Sequence, residues 1–89
     1  MTNILGQLME TIDAAIVEGR EISVCTEHGK NRIMSSFIPT EYDMEDGIYI
    51  AGENYLLNLD KEGCVMNYDP EEEEFLVKCD NVKYYLAII

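Results

Sequence analysis

Apolar positions change their period once along this chain, at Gly19. Before it, Leu5, Leu8, Met9, Ile12, Ala15 and Ile16 recur at spacings of three and four, which predicts a helix over 3–18 with one buried stripe. Thr2 or Asn3 can cap its start and Gly19 supplies a left-handed stop. Gly6 weakens the first turn by about 1 kcal/mol relative to alanine. Gln7, Glu10, Asp13 and Glu18 fall mostly off the stripe, toward solvent. After Gly19 the period is two, and turn residues cut the chain into short strands over 21–27, 32–38, 48–51, 55–59, 64–68, 75–79 and 82–89. The punctuation is His28-Gly29-Lys30-Asn31, Gly52-Glu53-Asn54, Asp60-Lys61-Glu62-Gly63, Asp69-Pro70 and Asp80-Asn81.

These connections are too short for helical crossovers, so the strands are expected to pair antiparallel. The helix must lie across one face, because its stripe has no other partner. The predicted fold is α+β: one N-terminal helix packed on a bent antiparallel β-sheet meander of six to seven short strands, in a single domain over 1–89. Pro39 is expected to stop the strand before it, and the acidic segment up to Gly47 to form a loop. The apolar stretch Tyr84–Ile89 is expected to tuck into the sheet; it and Ile33–Ile38 are the candidate bare edges.

Charge changes the picture more than composition does. Eighteen acids stand against six bases, a formal net charge of −12 in 89 residues. The excess is lopsided: residues 1–40 hold five acids and three bases, residues 41–89 thirteen acids and three bases. Two dense clusters supply much of it, Glu41-Tyr42-Asp43-Met44-Glu45-Asp46 and Asp69-Pro70-Glu71-Glu72-Glu73-Glu74. The hydrophobic share, 47%, is that of a folded domain and not of a disordered acidic tail. The sign of the charge argues against direct binding to nucleic acid or to an anionic membrane, both polyanions.

Cys25, Cys64 and Cys79 are odd in number and separated by 39 and 15 residues, with no close pair. They are expected to be reduced thiols in half-buried strand positions, with neither zinc nor disulfide, in a reducing compartment. No basic, apolar leader is visible, so a cytoplasmic location is expected.

Signals for catalysis are poor. The single His28 stands in a polar turn, Ser35-Ser36 lies mid-strand without a base, and the glycines are scattered rather than gathered in a phosphate loop. Neither acidic segment has the spacing of a calcium loop. No enzymatic activity, cofactor or metal is expected.

One reading of the clusters is a solvated charge run that guards the strand beginning at Phe75. The other is a surface that imitates a nucleic-acid backbone. Residues i and i+2 of a strand stand about 6.8 Å apart. Phosphates of a duplex rise by about 3.4 Å per nucleotide. Alternating acids on an extended edge therefore suit lysines and arginines set to receive phosphates. The residues expected to bind such a partner are Glu41, Tyr42, Asp43, Glu45, Asp46, Tyr68, Asp69, Glu71, Glu72, Glu73 and Glu74, the tyrosines as apolar anchors with a polar tip.

In size, acidity and order of elements the chain resembles small acidic phage-encoded inhibitors that occupy DNA-binding sites, of the uracil-DNA glycosylase inhibitor and anti-CRISPR types. It shares the opening Met1-Thr2-Asn3 with the former, and Glu21-Ile22-Ser23-Val24 echoes, in a different order, that family's acidic-Ser-Ile-Leu edge segment. No residue role is carried over. The resemblance implies a non-catalytic inhibitor that fills the basic cleft of a nucleic-acid-handling protein, a host defence nuclease for example, in the host cytoplasm. The alternative expectation is a structural module that self-associates through exposed strand edges, as a homodimer for example.

Overall fold

The computed structural model describes residues 3–60 and 62–89. Helix α1 runs Ile4–Glu18. The Asn3 side chain caps it by accepting the Gly6 N–H, and a Cβ on Gly6 would press against that same oxygen, so the glycine that weakens the first turn also makes room for its cap. Gly19 closes the helix at φ 66°, with the Arg20 N–H donating to the Ala15 carbonyl at 2.9 Å. Thr2, the other cap candidate, lies outside the described residues.

Eight strands follow: β1 Ile22–His28, β2 Asn31–Phe37, β3 Pro39–Asp43, β4 Gly47–Gly52, β5 Leu56–Asp60, β6 Cys64–Asp69, β7 Glu74–Cys79 and β8 Val82–Ile88. They form a five-stranded sheet in the order β2-β1-β8-β7-β6 and a three-stranded sheet in the order β3-β4-β5, with every pairing antiparallel. The α+β class with a leading helix on antiparallel strands is as the pattern predicts. The element added is β3, expected as a loop. Pro39 does end β2, but it opens a new strand at a sheet edge, where its missing N–H leaves no gap in the ladder.

Between the layers lies one core. Ile22 and Val24 of β1, Leu86 of β8, and Phe75 and Val77 of β7 face Leu8, Ile12 and Ala15 of the helix and Ile48, Ile50, Leu57 and Leu59 of the small sheet. Leu5 and Ile16, expected to be buried, pack half-exposed at the rim of the stripe, and Ala15 takes a fully buried place. The other face of the large sheet carries no covering layer. Across it the register lines up Met34, Cys25, Tyr85, Leu76 and Asn67 in one row, and Arg32, Glu27, Lys83, Lys78 and Val65 in the next. Half of the chain's six basic residues therefore stand in a single row.

Two expectations are corrected here. Cys64 and Cys79 are not free thiols. They stand directly opposite each other on β6 and β7, with Cα atoms 4.3 Å apart, and form a disulfide; Cys25 alone is free, and it is buried. Spacing along the chain does not reveal this, whereas register does. The strands fold back about the Glu71–Glu72 bond, and the same symmetry that pairs Tyr68 with Phe75 pairs Cys64 with Cys79. The second correction concerns Tyr84–Ile89: it tucks into the sheet as its apolar character predicts, and so it is not the bare edge it was also a candidate for. Its strand, β8, is the middle one of five and is paired on both sides. Among the described residues no helix is long and apolar enough to cross a membrane.

Candidate functional site: the acidic surface

Alternation along β3 sorts the first cluster. Glu41 and Asp43 point to the outer face of the small sheet, and Tyr42 points the opposite way, toward the helix. The Tyr42 hydroxyl donates to Asp13 of α1 at 2.9 Å, while its ring packs against the core. Beyond β3 the chain bends. The Asp43 carboxylate accepts the Glu45 N–H at 3.0 Å, and Met44 is buried, so the side chains on either side of it are turned outward and exposed. Tyr49 lies opposite Asp43 on β4 and donates its hydroxyl to Glu41 at 3.1 Å. That contact joins two acids and an aromatic ring on one small patch.

The second cluster is built by the same device. Asp69 ends β6 and accepts the N–H groups of Glu71 and Glu72 at 3.0 and 3.4 Å, which fixes the turn. Glu73 takes a left-handed conformation, φ 52°, to bring the chain into β7. Glu71, Glu72 and Glu73 are exposed, and Glu74 is partly covered. Tyr68 faces inward, its ring 4.7 Å from that of Phe75 in a tilted pair.

The two clusters sit on different sheets, and α1 packs against an edge strand of each, β3 and β6. Helix residues supply the bridge. Asp13 reaches Tyr42, and Thr11 shares an open groove with Tyr68 and Glu73, while Glu10 and Asp13 are exposed. Exposed acids thus stand on β3, on the helix between the two edge strands and at the β6–β7 turn, with Arg20 lining the groove that holds Glu73. None of the nine cluster carboxylates forms an ion pair with a described residue; the ion pairs seen, Arg20 with Glu18 at 3.6 Å and Arg32 with Glu27 at 3.4 Å, lie elsewhere. Nor, among the described residues, do three or more carboxylate, imidazole or thiol groups converge where a metal ion could be held.

The surroundings leave a mark on three groups. The Tyr49 hydroxyl is held above the ordinary phenol range, first by its hydrogen bond to Glu41, then by burial and by the charge of that carboxylate. Tyr42 is raised in the same way by Asp13. Glu74 is pushed up by burial, then by the negative charge of Glu72 and Asp69.

Of the expected site residues, Glu41, Asp43, Glu45, Asp46, Asp69, Glu71, Glu72 and Glu73 are exposed, and Glu74 is half-covered. Tyr42 and Tyr68 commit their rings to packing. Asp13 joins these residues through Tyr42, and Tyr49, one of the tyrosines that interleave the acids in sequence, joins them through Glu41. The signal for Tyr49 is legible only once 39–43 is known to be a strand, because strand alternation then sets Glu41, Asp43 and Tyr49 on one face. No protein-family model, curated protein or solved structure matches this chain.

Proposed function

We propose that this protein is a non-catalytic binder whose acidic surface fills the basic cleft of a nucleic-acid-handling protein and blocks it. The observation that carries the reading is the state of the nine cluster carboxylates. They are set in fixed turns and on a strand, all but the half-covered Glu74 are exposed, and none forms an ion pair with a lysine or arginine of the described chain. A fold that holds so much unpaired like charge gives up stability to self-repulsion, and a cationic partner relieves it. Separate exposed ion pairs contribute only about 0–1 kcal/mol each, so the surface acts mainly by steering encounter and by excluding phosphate from the same groove.

The test is affinity capture from cell lysate by the wild type and by two cluster variants, Glu45→Lys with Asp46→Lys and Glu71→Lys with Glu72→Lys. All four side chains are exposed and make no side-chain bond that holds the fold together. The expected result is capture of a DNA- or RNA-binding protein that duplex DNA displaces, that moderate salt weakens and that both variants lose. Equal capture by both variants, indifferent to DNA and salt, would reduce the clusters to a solubility device.

A further inference from the structure

A sheet ends at four strands here, β2 and β6 in the large sheet and β3 and β5 in the small one. Two of these edges carry acids that keep strands of neighbouring molecules apart, Asp69 on β6 and Glu41 and Asp43 with Pro39 on β3, and β5 is only five residues long. β2 is different. Its sequence, Asn31-Arg32-Ile33-Met34-Ser35-Ser36-Phe37, holds no acid and no proline in a chain of eighteen acids. Ile33 and Met34 stand 66% and 73% exposed, one on each face of the strand. Among the described residues no backbone group outside β1 bonds to β2; its first four residues are exposed, and Tyr55 covers its end at Ser35 and Phe37.

Charge is also ordered along this edge. Lys30 and Arg32 stand at its start. At its finish, Glu53 shares an open groove with Ser36, Phe37, Ile38 and Thr40. Lys30 and Glu53 are exposed, and neither has an ion-pair partner among the described residues. An antiparallel copy of the same edge sets the basic start of each strand beside the acidic finish of the other, twice over, as a two-fold axis requires. A parallel copy would set like charge beside like.

We propose that β2 is a self-association edge: two copies of this chain pair antiparallel through β2 and form a continuous ten-stranded sheet, leaving the acidic surfaces of both copies free. The occupant is a second copy, because the edge is complementary to itself and two molecules of charge −12 can approach there without setting acid against acid.

Sedimentation equilibrium of the full chain over a concentration series in 0.15 M salt tests this, with circular dichroism as the control for folding. The expected species is a dimer. Ile33→Glu and Met34→Glu, both at exposed positions, are each expected to weaken dimerisation at least tenfold and leave the monomer folded. Lys30→Glu and Glu53→Lys are each expected to weaken it two- to fivefold, and the double variant Lys30→Glu with Glu53→Lys to restore it, which only a contact between the two sites in different copies can do. A wild type that stays monomeric throughout overturns the proposal. So does a dimer that Ile33→Glu and Met34→Glu leave intact, or a double variant no better than its parents. None of these results bears on the acidic surface, since the cluster residues are unaltered.

Discussion

At Gly52 the chain has room for a hydrogen atom and nothing larger. A Cβ there would stand 2.6 Å from the Ile38 carbonyl oxygen and 2.7 Å from the Phe37 ring, at the corner where the chain leaves the large sheet for the small one. The Phe37 ring is in turn stacked on Tyr55 at 4.7 Å, and the Gly52 N–H donates to the Tyr55 carbonyl at 2.8 Å. Because backbone is one of the obstacles, relaxation is difficult, and Gly52→Ala is expected to cost about 1–3 kcal/mol in chemical denaturation. Glu74 has the opposite character. Burial and its acidic neighbours hold its carboxyl above the usual range, so the folded state binds that proton more tightly than the unfolded chain does. Ionised Glu74 therefore opposes folding at neutral pH, and the penalty disappears as pH falls through the folded-state value toward the unfolded one. Glu74→Gln is expected to raise stability at pH 7 by no more than about 0.5 kcal/mol, since the carboxyl is only partly covered and solvent screens it, and to have no effect near pH 3. Paired urea melts at the two pH values check the sign.

Among the elements, β6 depends most on a covalent tie. It is an edge strand, bonded only to β7, and Val65 on its outer face is 61% exposed. The Cys64–Cys79 bridge holds the far end of this hairpin, 15 residues apart in sequence. A loop of that length confers about 3 kcal/mol when closed, in the chain-entropy account. Reduction is expected to lower global stability by about 2–3 kcal/mol and to raise amide exchange first in β6, ahead of β1 and β8. Alkylation of the unfolded, unreduced protein followed by intact mass is expected to label one thiol, Cys25, and three after reduction. In α1 the stripe rests on Leu8 and Ile12, each 1% exposed, whereas Val17 is 85% exposed. Leu8→Ala is expected to cost about 2–5 kcal/mol and Val17→Ala almost nothing.

For the whole molecule, charge sets the terms of every encounter. Two such chains at a separation of ~30 Å, about the molecule's own width, repel by ~20 kcal/mol as point charges in unscreened water. Salt at 0.15 M cuts this to ~0.5 kcal/mol, and 0.01 M salt leaves ~7 kcal/mol. Self-association and recognition of a cationic cleft therefore respond to salt with opposite sign. Raising salt from 0.01 to 0.15 M is expected to tighten dimerisation through β2 by several orders of magnitude and to slow association with a basic partner. Sedimentation and stopped-flow association on the same samples separate the two. The bases add a second asymmetry. Arg32, Lys83 and Lys78 line one row on the outer face of the large sheet, so half of the chain's six basic residues stand on that face.

What the residues determine by themselves is local. The helix, its asparagine cap and glycine stop, the hairpin turns and the antiparallel sense of the strands are all legible, because period, capping and turn length are properties of short stretches of chain. The acidic character of the surface is legible for the same reason: a run of glutamates has nowhere to go but out. Neighbourhood is different. Nothing within Pro39–Asp43 says that β4 waits to pair with it, so the strand that aligns Glu41 with Asp43 reads as a loop. Nothing within Cys64 or Cys79 says that the register sets them opposite each other. The apolar run of β8 suits an edge as well as a centre, and only the sheet order places it in the middle and leaves β2 at the rim. Those outcomes depend on contacts between residues far apart in sequence, where burial of shared apolar area outweighs local preference. They decide which acids stand together and which edge stays open.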